Sequence, residues 1–308
     1  MDIQIIAEGL RFPEGPVVMD DGSIIVVEIE AGRITRVKPD GTKQTIATPG
    51  GGPNGAAIGP DGKLYVCNNG GFDYHEVNGL LIPGHQPENY SGGRIEVVDL
   101  ASGKVECLYD RVGAHKLRGP NDLMFDHHGG FWFSDHGKSR PRERDFGGLY
   151  WAKADGSEIK EVVFPISGGP NGVGLSPDGK TVYVALTYER NLLAFDITGP
   201  GEVQPSPLEA APGRCVASFP GRTLLDSLAM DARGHICVGT LLDQPGIASV
   251  DPQTGLISYH SFPDLLTTNI AFGGSDMHDA YVTLSTTGKL AKVRWPEPGL
   301  RLAYNSSI

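Results

Sequence analysis

The chain has 308 residues and a formal net charge of -11, with 37 Asp and Glu against 26 Lys and Arg. That balance argues against nucleic acid or an anionic membrane as partner and leaves a soluble protein acting on a small molecule as the expectation. Gly (43) and Pro (23) are abundant, β-branched and aromatic residues fill short apolar runs, and no amphipathic helical pattern lasts three turns, so the chain reads as all-β.

The N-terminal stretch MDIQIIAEGLRF has no basic region and too short an apolar run for a signal peptide. Nothing downstream resembles a membrane span, and a cytoplasmic protein is expected. The four cysteines, Cys67, Cys107, Cys215 and Cys237, are widely spaced without a CxxC pair, and are expected to be reduced and mostly buried in strands.

One layout then recurs along the chain. In PEGPVVMDDG, Glu14 precedes Gly22 by eight residues; in PNGAAIGPDG, Asn54 precedes Gly62 by eight. Asn121 stands eight before Gly129, Asn171 eight before Gly179 and Asp226 eight before Gly234. A weaker sixth copy starts at Asn269, where the residue eight on is Met277. Each copy reads as a strand starting just after the oxygen-bearing residue, a turn, a second strand, a loop and a third strand. Short segments that follow, TIAT, VECLY, EIKEVVFP, CVASF and ISYHSF, supply a fourth strand. Turn glycines fall about 40 to 67 residues apart, the period of propeller blades with variable loops. The expectation is one domain over residues 1–308, a six-bladed β-propeller with four-stranded blades. The last blade lacks its own outer strand, and residues 3–7 are expected to supply it and close the ring, with the C-terminal RLAYN as the alternative.

If the first strand of every blade lines a central channel, the six residues Glu14, Asn54, Asn121, Asn171, Asp226 and Asn269 converge on one mouth. All six carry oxygen, none is His or Cys, and only two are charged. Any one of them alone would be explained as a strand cap or a ligand of channel water. Six at one register suit a hard divalent cation in the channel: Ca²⁺ first, with Mg²⁺, Mn²⁺ and Zn²⁺ as alternatives.

FPEGP (12–16), GPND (119–122), GPNG (169–172) with LSPDGKTVYV, and LDSLAMDARG (225–234) resemble the senescence-marker-protein, gluconolactonase and luciferin-regenerating-enzyme family of six-bladed propellers, over essentially the whole chain. The resemblance implies a lactonase in which Glu14, Asn121, Asn171 and Asp226 hold a catalytic divalent ion, while Asn54 and Asn269 face substrate or a surrounding shell. Two departures accompany it. Gly51, Gly52 and Pro53 stand where sugar lactonases of the family often place an arginine, which turns the expectation away from gluconolactone itself. Ser285, Thr286 and Thr287 stand where a phosphatase relative has a histidine, which turns it away from organophosphates.

The mechanism expected is ring-ester hydrolysis, with the ion polarising the carbonyl and Asp226 accepting a proton from the attacking water. Asp122 and His136 are the alternative bases. Asp122 is expected to orient Asn121, and His136, at the end of a second strand, to reach the mouth. Two loops leave on the same side. Residues 70–92, with Phe72, Tyr74, His75, His85 and Tyr90, form a candidate lid. Residues 138–146 carry Arg140, Arg142 and Arg144, and one of these or Arg118 would meet an acidic group on substrate. Tyr188 and Glu189 are further wall candidates, while His127 and His128 belong to the opposite face. The alternatives are a hydrolase of phosphate or other esters, or a non-catalytic ligand- or protein-binding propeller. A monomer or small homo-oligomer is expected.

Overall fold

Residues 1–208 and 211–304 are described by a computed structural model, in which the six repeats form six antiparallel sheets. From the inside outward, blade one comprises Pro13–Val18, Ile24–Glu28, Arg33–Val37 and Lys43–Ala47. Blade two comprises Pro53–Ile58, Leu64–Asn68, Arg94–Val98 and Val105–Tyr109, and blade three Pro120–Phe125, Gly130–Asp135, Gly147–Lys153 and Ile159–Ile166. Blade four has Pro170–Leu175, Thr181–Leu186, Asn191–Gly199 and Arg214–Ser218, with a short extra strand, Glu202–Val203, on the third. Blade five has Thr223–Met230, Ile236–Leu242, Gly246–Val250 and Ile257–Ser261. Blade six has Thr267–Gly273, Asp279–Leu284 and Lys289–Arg294, and Gln4–Ala7 pairs with the last of these as its outer strand. The ring is therefore closed from the N-terminus. Among the described residues there is no helix long and apolar enough to cross a membrane.

The turns between first and second strands follow from local chemistry. In the Asp-Gly copies the aspartate accepts the backbone N–H two residues on: Asp21 from Ser23, Asp61 from Lys63, Asp178 from Lys180. The following glycine takes a left-handed conformation, with φ of 77° at Gly22 and 67° at Gly179, which costs glycine no Cβ clash. The sixth copy reaches the same reversal with Met277 itself at φ 60°.

The apolar residues of the second and third strands face both neighbouring blades, so the core is a series of layers between sheets. Ile25, Val27 and Ile34 of blade one meet Leu64 and Val66 of blade two. Trp132, Leu149 and Trp151 of blade three meet Val182, Val184 and Phe195 of blade four. Burying each such side chain stabilises by about 1.5–3 kcal/mol.

The structure corrects two expectations and decides between the two closures. The inner strands begin at or before the oxygen-bearing residue, as in Pro13–Val18 and Pro53–Ile58. All four cysteines are free and lie in strands, but Cys107 and Cys215 are exposed because theirs are outer strands; only Cys67 and Cys237 are buried. The C-terminal segment does not add a strand to blade six. Leu300 donates its N–H to Met230 O, and the Tyr304 ring lies 5.4 Å from Phe125, so this stretch crosses the channel on the turn side; Asn305 lies outside the described residues.

Candidate active site

The pairing of first and second strands slips at the same place in every blade. The irregularity falls between Glu14 and Val17, Pro53 and Ala56, Pro120 and Leu123, Pro170 and Val173, Leu225 and Leu228, and Thr267 and Asn269. A bulge of this kind re-aims a side chain out of the alternating pattern, and here it falls at or beside each of the six oxygen residues. Close approach of neighbouring inner strands helps. Gly15, at φ 50°, sits where a Cβ would lie 2.4 Å from Asn54 O, so only glycine lets blade one close onto blade two.

Glu14, Asn54, Asn121, Asn171 and Asp226 line one cavity of about 290 Å³, together with His136, Thr187 and Tyr188. Glu14 Oε2 accepts from Gly15 N–H at 2.6 Å and from Asn269 Nδ2 at 2.7 Å. Its Oε1 is buried without a hydrogen-bond partner, and so is Asn121 Oδ1. Asn171 donates to Thr187 Oγ1 at 3.1 Å, and Ser227 N–H donates to Asp226 Oδ1 at 3.1 Å. Burial raises the pKa of both carboxylates, and the Glu14 charge adds to the rise at Asp226, which goes well above the usual carboxylate range. Two carboxylates that resist ionisation beside unpartnered amide and carboxylate oxygens fit a divalent cation, which would satisfy both deficits at once. Among the described residues no three His, Cys, Asp or Glu side chains cluster as a metal site, so a site here needs its asparagine oxygens.

The other expected residues take distinct places. Asn269 turns its amide to Glu14, and its own Oδ1 accepts from Ile270 N–H at 2.7 Å. Asp122 lies below the cup, in a small channel cavity with Ala56, Val173 and Leu228. It accepts from Leu123 N–H at 3.0 Å, and burial, with the Glu14 charge second, pushes its pKa up to about 8. His136 lines the cavity with Nδ1 unpartnered and its ring 5.4 Å from Tyr188. Burial, then the charges of Arg144 and Lys138, lower its pKa to about 3, so it is neutral at physiological pH. The Arg118 side chain is exposed, while its backbone N–H donates to Asp135. Arg140 pairs with Asp145 at 2.6 Å, and Arg144 stacks on Tyr188 at 3.4 Å. Glu189 accepts from Ser167 Oγ.

The 70–92 insertion contains a hairpin, Tyr74–Val77 with Leu80–Pro83, turned by Asn78-Gly79 with both residues at positive φ. It crosses from blade two to blade six, where Leu81 N–H donates to Thr286 O at 3.0 Å. Phe72, Ile82 and Pro83 thereby roof the cavity. A residue with no obvious sequence signal fastens it. Lys138, only 1% exposed, donates from Nζ to Gly71 O at 2.6 Å and to Asn69 Oδ1 at 3.3 Å, and lies 3.8 Å over the Phe72 ring. Burial brings its pKa down to about 7, against the opposing pull of Asp135 and Asp145.

Three further anchors did carry a signal. Fourteen residues after an oxygen residue stand Glu28, Asn68 and Asp135, opposite the start of the inner strand. Glu28 accepts from Arg11 N–H, Asn68 from Gly52 N–H, and Asp135 from Arg118 and Gly119 N–H, at 2.7–2.9 Å. They fix the backbone just before the cup. A larger hollow of about 590 Å³ lies on the turn side, lined by Met19, Gly22, Pro39 and Gly274 and away from all six oxygen residues.

A Zymomonas mobilis gluconolactonase is 27% identical over 206 residues, which cover 59% of this chain and 51% of that protein. Lactonase drp35 of Staphylococcus saprophyticus is 29% identical over 202 residues, covering 65% and 55%. The chain thus spans about half the length of the curated relatives it matches. Its fold superposes on that of a calcium-binding protein, regucalcin, from Agrobacterium tumefaciens with a TM-score of 0.72 at 20% identity, covering 97% of each chain. Residues 12–286 match the SMP-30/Gluconolactonase/LRE-like region, and the chain belongs to that family.

Proposed function

We propose that this chain is a metal-dependent lactonase that opens the ring ester of a small hydroxy-acid lactone. The observation that carries this is the pair of buried carboxylates, Glu14 and Asp226, sharing a roofed cavity with the unpartnered oxygens Glu14 Oε1 and Asn121 Oδ1. The named gluconolactonase and lactonase relatives support the reaction class, and the calcium-binding regucalcin supports Ca²⁺ ahead of Mg²⁺, Mn²⁺ or Zn²⁺. Glu14, Asn121, Asn171 and Asp226 would hold the ion. When bound, a divalent ion at such a cup polarises an ester carbonyl and makes water more acidic.

The remaining steps belong to the chain. Ser227 N–H orients the Asp226 carboxylate, which takes a proton from the water as its oxygen bonds to the ester carbon. The ring C–O bond then breaks, and the departing alkoxide takes the proton from Asp226. The product is a hydroxy acid, which ionises and releases one proton to solvent. Asp226 suits the role better than His136, since its carboxylate lies at the cup beside the proposed ion site while burial makes the His136 imidazole a weak base, with a pKa lowered to about 3. Asn54 and His136 face the cavity as hydrogen-bonding groups for the substrate, Asn269 holds Glu14, and Asp122, below the cup, accepts from the backbone of Leu123 and Val173 and so ties the inner strands of blades three and four together.

The test is proton release from a lactone panel, with chelator and then with each ion restored. Turnover that vanishes with chelator, returns with one ion and is lost in Asp226→Asn is the expected result. Turnover that survives exhaustive chelation would sink the metal-dependent reading, and full activity in the variant would remove Asp226 as the base.

A further inference from the structure

Above the oxygen cup the cavity changes character. Phe12, Ile29, Phe72, Ile82, Leu241 and Leu266 form much of its sides and roof. Four of these, Phe12, Ile29, Leu241 and Leu266, are between 3% and 7% exposed, so they are fixed by packing and hold the wall in place. The charged side chains lining the cavity are Glu14 and Asp226, both at the cup. Of the polar groups higher up, Thr187 already accepts from Asn171 at 3.1 Å, and Tyr188 has Arg144 stacked on its ring at 3.4 Å. The hydrogen-bonding groups left for a substrate, Asn54, His136 Nδ1 and the hydroxyls of Thr187 and Tyr188, are fewer than the apolar side chains that face them.

This wall discriminates between two kinds of lactone. A polyhydroxylated ring presents a hydroxyl at nearly every carbon, and each one must find a partner or lie unpaired against aliphatic carbon. A ring carrying an alkyl group meets the same wall with nothing to satisfy and with apolar surface to bury. The volume of about 290 Å³ sits at the small end of the range for ligand pockets, about 300–1,000 Å³, and limits the chain length. Building on the lactonase reading, we propose that the substrate is a small lactone with an apolar, alkyl-type substituent held under the hairpin, and that sugar lactones are poor substrates.

The experiment compares kcat/KM of the full chain, supplied with Ca²⁺, for δ-valerolactone, δ-hexalactone, δ-octalactone and glucono-δ-lactone. Each added methylene is expected to raise kcat/KM by about fourfold until the pocket is filled, with gluconolactone below δ-octalactone. Ile82→Asn is expected to flatten the chain-length series while Ile82→Val keeps it, both with melting temperatures near that of the parent. Gluconolactone equal to or better than δ-octalactone, or a series without slope, overturns the proposal and leaves the lactonase reading standing. If no lactone is opened, the lactonase reading fails instead, and calorimetry decides this inference separately. Ring-opened hydroxyoctanoate binding the Ca²⁺-loaded protein more tightly than gluconate supports it, and equal or reversed affinities overturn it.

Discussion

Glu14 and Asp226 are held in an environment that opposes their charge, and this has a consequence for stability. Both carboxylates have folded-state pKa values raised above the ordinary value. Without a cation, their contribution to stability is present below the ordinary carboxylate pKa and is lost as pH rises toward the raised folded values. A cation reverses the sign by favouring the ionised pair, and protons compete with it as pH falls. The prediction is that Ca²⁺ at a hundredfold excess over its Kd stabilises by about 2.7 kcal/mol at neutral pH, a rise of several degrees in melting temperature. The gain should shrink on acidification and vanish in Glu14→Gln. Scanning calorimetry with and without Ca²⁺ across pH checks it, and a pH-independent gain would contradict a site built on these two groups. At this scale much of the cup was legible, because one oxygen residue at one register repeats six times. What Asn269 and Asp122 touch was not, since neighbouring chain positions say nothing of which blade a side chain turns toward. Glu28, Asn68 and Asp135 were in principle readable from their common offset, once second strands are aligned as well as first ones.

At the scale of elements, strands and turns were readable because period-two apolar patterning and Asp-Gly reversals act locally. The six bulges were not, because a register slip is a property of two paired strands. The hairpin over the cavity did have a short-range signal: Asn78-Gly79 sits between YHEV and LLIP, a pattern that favours a two-residue turn. Its docking depends on Lys138, which no local pattern announces. Replacing that side chain with methionine keeps the apolar stem against Phe72 and removes the hydrogen bonds to Gly71 O and Asn69 Oδ1. Lys138→Met is therefore expected to speed amide exchange across residues 74–83 by at least tenfold, the equivalent of losing about 1.4 kcal/mol of local closure. KM should rise more than kcat falls. Unchanged exchange in the hairpin would show that Leu81 and Thr286 hold it without the lysine.

At the scale of the whole molecule, closure and site are linked through a few residues of chain. Gln4–Ala7 completes blade six, Leu10 N–H then donates to Gly288 O at 2.9 Å, and Arg11 N–H is held by Glu28 just before Glu14 enters the cup. Ring closure thus positions one of the two charged oxygen groups, and sequence alone left two closing segments in competition because both are short apolar runs of the same character. Removing residues 1–7 would expose Lys289–Arg294 as an edge and uncover the packing of Ile3 and Ile5 in the blade six core. The partial burial lost amounts to roughly 3 kcal/mol, which predicts a melting temperature lower by roughly 5 °C or more and a tendency to associate through the new edge. Ca²⁺ affinity should fall along with stability, because blade six, which carries Gly288 beneath Leu10 and Asn269 on Glu14, loses its outer strand. Calorimetry, light scattering and Ca²⁺ titration on the truncated chain measure the three effects. A chain that loses stability but keeps full Ca²⁺ affinity would separate closure from the cup, and would place the fixing of Glu14 with Asn269 and Gly15 alone.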